Sequence, residues 1–184
     1  MQHAAITVDR YTPVAIVLHW LMALLVIGLW IVGSLMSDLT PPFKYTVYDL
    51  HKATGILILV LTFFRLGWRF THPVPALPSS IPRRKGQLAR IAHWALYALL
   101  ILMPLSGWAM SSSAGYPVSI YGLFDMPALL DKDVALAGFF KETHELLANG
   151  LLLLVAAHTA AGLLHHYYYK DTVLRRMLPG RKGL

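Results

Sequence analysis

The sequence contains no cysteine, so disulfides, thiolate metal sites and thiol redox chemistry are all excluded. Metal or electron chemistry must then rest on histidine, carboxylate or a bound cofactor. Charge is scarce too: 14% of residues are charged while 57% are hydrophobic, which is far from a soluble domain. Acidic side chains are the scarcest of the charged ones, nine against sixteen Lys and Arg, leaving a net charge of +7. Neither an internal repeat nor a low-complexity segment interrupts the chain, and 184 residues suit one membrane domain, 1–184.

What is abundant is long apolar runs. Four of them, at 14–36, 48–70, 91–111 and 139–168, are long enough to cross about 30 Å of hydrocarbon as helices. The first exceeds a signal-peptide core and has no small-residue cleavage site, so it is expected to stay as a helix. Thr12-Pro13 supplies a cap and a proline at the first turn of that helix, and Pro41-Pro42 stops it. Pro104 with Gly107 predicts a kink in the third helix. The loop from Ser111 to Lys141 carries turn signals at Gly115, Tyr121-Gly122 and Met126-Pro127, and its length implies a structure or function of its own. Tyr167 to Tyr169 form an aromatic interface belt, and 171–178 reads as a short amphipathic helix on the membrane surface.

With four spans, the two termini and the 71–90 connector share one side of the membrane. That side holds twelve Lys and Arg against two acids, the opposite side four against seven. The positive-inside rule therefore predicts a multi-pass membrane protein with both termini cytoplasmic. The basic excess lies at helix ends on one membrane face, which is a topology and lipid-headgroup signal and not a nucleic-acid surface; Arg83-Arg84-Lys85 belongs to it. Arg65 and Arg69 end the second helix and are expected to snorkel to the headgroups.

Histidine is the residue that chemistry must use. His144 and His158 lie fourteen residues apart on the fourth run, which is about 21 Å along a helix and within roughly 40° of one face. His19 sits near the inner start of the first run and His51 near the outer end of the second. Alternating helix directions then put His51 level with His144 and His19 level with His158. Two facing histidines at one depth can fill both axial positions of a haem iron, so two depths predict two haems in the bundle core. A small residue follows each by one turn, Ala23, Gly55, Ala148 and Gly162, leaving clearance for a flat macrocycle. The alternatives are hydrogen bonds to neighbouring helices, or a haem-free transporter or proton relay built on the same side chains. Zinc or copper fits poorly, because the pattern yields separated pairs and not a cluster. His93, followed by Tyr97, reads as a structural residue or candidate propionate contact. His165 and His166 are either solvated or contact a quinone or propionate, and His3 and His72 read as surface residues.

The ordered set Arg10-Tyr11, His19-Trp20, Leu50-His51-Lys52 with Gly55, Ala92-His93 with Tyr97, Thr143-His144, His158 and His165-His166 through Lys170-Asp171 to Met177 resembles the bacterial cytochrome b561 family. The resemblance spans nearly the whole chain, and Pro117 to Pro127 is similar to one subgroup. It implies an all-α transmembrane four-helix bundle with His19 and His158 on a cytoplasmic-side haem b and His51 and His144 on a periplasmic-side haem b. It further implies electron transfer across the inner membrane, most concretely as a superoxide:ubiquinone oxidoreductase. On that reading His165 matches a quinone-site histidine, and Arg84, with Arg83 and Lys85, is a candidate quinone or propionate contact. Superoxide is an anion and the outer side is net negative, so Lys44, Lys52 or Lys141 would have to steer it. The rival is an electron-transfer subunit exchanging electrons with a periplasmic redox partner docked on the 112–140 loop.

Because there is no native thiol, introduced ones report topology without background. Asp131→Cys should react with a membrane-impermeant maleimide on intact spheroplasts, and Ser79→Cys only after lysis; the opposite pattern would reverse the orientation.

Overall fold

The structure, a computed structural model, describes residues 9–180. His3, expected at the surface, and Arg181 and Lys182, included in the charge asymmetry, lie outside the described residues. Four helices carry the chain: α1 (Pro13–Leu35), α2 (Phe43–Thr71), α3 (Arg83–Ser113) and α4 (Val134–Tyr167). They are 23, 29, 31 and 34 residues long. At about 1.5 Å per residue, every one exceeds the roughly 30 Å of a bilayer's hydrocarbon. All four are apolar enough to cross it, so this is a multi-pass membrane protein.

The helix starts follow from local chemistry. Thr12 Oγ1 accepts a hydrogen bond from the Ala15 N–H at 3.3 Å, with Pro13 at the first helical position. A 3-10 turn, Met36–Asp38, closes α1 ahead of the two prolines. α3 begins at Arg83, well before its apolar run, because Arg83 to Arg90 is made mostly of good helix formers and Pro82 stands just before the first turn. α4 begins at Val134, where the Asp133 carboxylate accepts from the Leu136 N–H at 3.0 Å. These extra turns project beyond the hydrocarbon.

The long α3–α4 loop has a structure of its own. β1 (Val118–Ile120) pairs antiparallel with β2 (Phe124–Met126), with Ile120 opposite Phe124. Tyr121 and Gly122 both take the left-handed conformation, φ 52° and 75°, that so tight a reversal requires. Lys52 Nζ donates to the Pro117 carbonyl at 2.7 Å and the Trp108 indole to the Pro127 carbonyl at 3.0 Å, while the Leu129 N–H donates to Ser112 Oγ at 3.1 Å. The hairpin is thereby fastened across α2 and α3, and this defines the hairpin end of the bundle. The opposite end, where the α2–α3 connector lies, is the connector end.

Within the bundle α3 packs most extensively on α4, and α2 bridges α1 and α3. Ile16, Met22, Ala53, Ile58, Leu59 and Tyr97 form the buried core, whereas Leu151 is the one fully buried residue that α4 contributes. Leu146 and Leu153 on α4 stay exposed, as a lipid-facing helix requires. The stretch expected as a surface helix at 171–178 takes only one 3-10 turn, Arg175–Met177. Tertiary bonds at its C-terminal end fix its path instead, just ahead of Pro179. Lys170, with φ 53°, ends α4. The Trp20 indole then donates to the Met177 carbonyl at 2.7 Å, Arg10 donates to the carbonyls of Leu178 and Gly180, and Arg176 donates to that of Ala76. A C-terminal strap so fixed lies across the start of α1 and the connector.

Asp133→Ala removes the α4 cap and should cost about 1 kcal/mol. Thermal unfolding of the detergent-solubilised protein checks this, with Asp131→Ala, which caps nothing, expected to leave the transition unmoved.

Candidate functional site

At the hairpin end, His51 on α2 and His144 on α4 face each other with ring centroids 6.4 Å apart and planes at 71°. His144 Nδ1 lies 3.1 Å from the Met103 carbonyl and 3.1 Å from Ser106 Oγ, whose own proton goes to Met103 at 2.7 Å. Both neighbours therefore present oxygen acceptors to Nδ1, which carries the ring proton and leaves Nε2 with its lone pair. Two glycines seat these rings. A Cβ at Gly107 would stand 2.9 Å from His144 Cε1, and one at Gly33 would stand 3.1 Å from His51 Cε1. His51 Nδ1 is buried without a hydrogen-bond partner among the described residues.

At the connector end, His19 on α1 and His158 on α4 lie 6.0 Å apart, also at 71°. His93 on α3 approaches His158 from another side at 5.3 Å. Arg65 does not snorkel as its place near the end of α2 implied. Its guanidinium lies 3.2 Å from His19 Nδ1, and Arg65 Nε donates to the Tyr97 hydroxyl at 3.3 Å. The reason is register: Arg65 follows His51 by the same fourteen residues that separate His144 from His158. It therefore returns to the inward face one level down.

Both histidine pairs join helices that leave a gap, since α1 and α4 meet at few points and α2 and α4 at fewer still. The spacing fits a metal-centred group. With metal–imidazole bonds of about 2 Å on either side, two ring centroids stand about 6 Å apart. The clearance expected from Gly55 and Gly162 points the same way. A Cβ at Gly55 would meet no protein atom within 4 Å, and one at Gly162 only Leu174 Cδ1 at 4.0 Å. Nothing in the polypeptide within 4 Å demands glycine at Gly55, whereas a flat group held by the histidine one turn away would. No cluster of three or more ligands suited to a bare metal ion occurs among the described residues.

Beyond the second pair, His165 Nδ1 lies 2.5 Å from Asp171 Oδ2, and Asp171 Oδ1 accepts from the Val173 N–H at 2.9 Å. Burial pushes the Asp171 carboxyl up, but the Val173 and His165 hydrogen bonds and the charges of His165 and Arg176 outweigh it and hold the group below its ordinary value. The His165 ring lies 5.3 Å from that of Tyr169, whose hydroxyl accepts from Lys85 Nζ at 3.1 Å. Of the basic run, Lys85 is thus the residue tied into the His165 neighbourhood; Arg83 and Arg84 are exposed on the first turn of α3. His166 Nδ1 is buried and has no partner among the described residues. His72 is no plain surface residue, for it stacks on Trp68 at 3.8 Å.

Residues 10–180 match the family described as prokaryotic cytochrome b561. The chain belongs to that family. As a cytochrome b561, it is a redox protein for which membership implies haem b and electron transfer. It is 37% identical to cytochrome b561 homolog 2 of Escherichia coli K12, over 94% of this chain and 93% of that one. It is 35% identical to the probable superoxide oxidase CybB of Yersinia pestis, over 95% and 98%. To cytochrome b561 homolog 1 of Escherichia coli K12 it is 30% identical, over 95% and 99%.

Gly107→Ala places a methyl group against His144 and should lower the haem content of the purified cytochrome, because His144 loses its seat. Gly138→Ala on α4, where a Cβ meets nothing within 4 Å, is the control expected to keep all of it.

Proposed function

We propose that this cytochrome b561 moves single electrons across a bacterial inner membrane, from the periplasmic side to ubiquinone near the cytoplasmic side, with superoxide as the donor. The observation that carries the reading is the pair of histidine couples, 6.0 Å and 6.4 Å between centroids, one toward each end of the bundle. On this reading His51 and His144 hold the periplasmic-side haem b, His19 and His158 the cytoplasmic-side haem b, and both termini are cytoplasmic. Haem so held supplies one-electron redox chemistry at a dry, fixed position.

The chain's own residues supply the rest. Gly33 and Gly107 let the outer rings approach their neighbouring helices, and Met103 with Ser106 holds the His144 proton on Nδ1. The exposed leucines and phenylalanines of the four helices keep the site in hydrocarbon. His165, held by Asp171, offers a proton at the cytoplasmic end, beside Lys85 and Tyr169. The net reaction consumes two superoxide ions, one quinone and two cytoplasmic protons, and yields two molecules of oxygen and one quinol. The curated name of the Yersinia pestis relative supports superoxide as the donor.

A second reading rests on the hairpin. Tyr116, Leu123 and Phe124 are 68%, 81% and 58% exposed. Such an apolar tip suits a periplasmic redox protein docked on the 112–140 loop, and in that case the chain is the membrane subunit of a larger electron-transfer system.

A pyridine haemochrome count and stopped-flow mixing with superoxide distinguish these. Two haems per chain, reduced rapidly by superoxide and reoxidised by ubiquinone, are expected. Two haems that superoxide leaves oxidised would shift the function to the partner-fed carrier. His158→Ala should remove about half the haem and spare the periplasmic level, whereas His165→Ala should keep both haems and slow quinone reduction by a factor of about 10² or more, the range for loss of a positioned acid.

A further inference from the structure

The two ends of the bundle differ in charge. At the hairpin end neither histidine has a cationic hydrogen-bond partner: His144 faces a carbonyl and a hydroxyl, and His51 Nδ1 has no partner among the described residues. The cations nearby are offset, Lys52 by Asp49 at 2.8 Å and Lys141 by Glu145 at 2.9 Å. At the connector end Arg65 stands 3.2 Å from His19, half-buried within the helical span, and its other side-chain partner is the neutral Tyr97 hydroxyl. Among the described residues no carboxylate lies within ion-pair distance of Arg65; the three ion pairs formed there involve Lys52, Lys141 and His165. The connector level therefore has a fixed guanidinium against one of its histidines, and the hairpin level has none.

We propose that Arg65 is the fixed positive charge that makes the His19/His158 level the stronger electron acceptor of the two, so that electrons run from the hairpin end to the connector end. The inference rests on the reading that each histidine pair holds a haem. An electron arriving at the connector level lowers the positive charge beside Arg65 by one, which the fixed guanidinium favours. The guanidinium stays protonated throughout, so no proton is exchanged at this residue. Each transfer takes one electron from the hairpin level and adds one to the connector level; two transfers and two protons from the cytoplasm reduce one quinone to quinol. A unit charge a few ångströms from the electron, at an effective dielectric constant of about 20, changes a one-electron equilibrium by at least tenfold. Arg65 acts through its neighbour and is therefore a positioning residue.

Potentiometric titration of the purified holoprotein tests this, followed by visible absorbance. The wild-type chain should show two one-electron waves, and His158→Ala should abolish the higher one. Arg65→Gln should lower that higher wave by at least tenfold in its equilibrium constant, which is 59 mV for one electron, and leave the lower wave within threefold. Arg65→Lys, which keeps the charge, should restore most of the difference. Loss of the lower wave in His158→Ala, or a higher wave unmoved by Arg65→Gln, overturns the proposal. The His158→Ala assignment needs no Arg65 variant, so it stands as a test even where Arg65→Gln fails to fold. Haem counts on the same samples separate the two layers of argument: fewer than two haems in the wild-type chain defeats the di-haem reading, whereas two haems with unmoved potentials defeats only the role of Arg65.

Discussion

Hydrocarbon offers a polar side chain nothing to bond to, and this protein places histidines on all four of its helices. Each must find its partner inside the bundle or carry a group that satisfies it. That constraint explains why the helices bearing the paired histidines are the ones that stay apart. α4 contributes a single fully buried side chain, yet it presents His144 at one level and His158 at the other. α3, packed along α4, provides the seat: Met103, Ser106 and Gly107 at one level, His93 at the other. The bundle is thus organised as much around two facing pairs of imidazole rings as around an apolar core.

α2 and α4 share a fourteen-residue interval between inward positions, but they spend it differently. α4 repeats histidine, whereas α2 places His51 at one level and Arg65 at the next. Two levels of similar geometry therefore differ in electrostatics. One has carbonyl and hydroxyl neighbours, and the other has a guanidinium. On the function proposed above, this difference is what gives an otherwise near-symmetric pair of sites a direction.

Much of this was legible in the sequence. Four spans follow from apolar length, and the histidine pairing by depth follows from helical rise alone. What was not legible is instructive. Open space four residues along the same helix was legible at Gly55 and Gly162, but the close approaches to the rings are made by glycines on neighbouring helices, Gly33 and Gly107. No single-helix periodicity can report an interhelical contact. Arg65 was read by its nearness to a helix end, where arginine ordinarily reaches for headgroups, although its register with His51 already placed it inward. Polar segments near the membrane surface were the least predictable. The 171–178 stretch has the composition of a surface helix, yet it is held to α1 and the connector by tertiary bonds and keeps a single 3-10 turn.

Those tertiary partners link the strap to the connector-end site. Trp20 follows His19 in the chain and donates to Met177, while Asp171 holds His165 at the opposite edge of the same strap. The segment from Asp171 to Met177 is thus fixed at one end by a residue beside an inner-level histidine and at the other by a histidine on the last turn of α4. Arg176, next to Met177, ties the same end to the connector at Ala76. The strap thus runs from the His165 neighbourhood to the start of α1. On the proposed function, the acceptor end of the protein is then a single assembled unit drawn from α1, the connector, α4 and the strap.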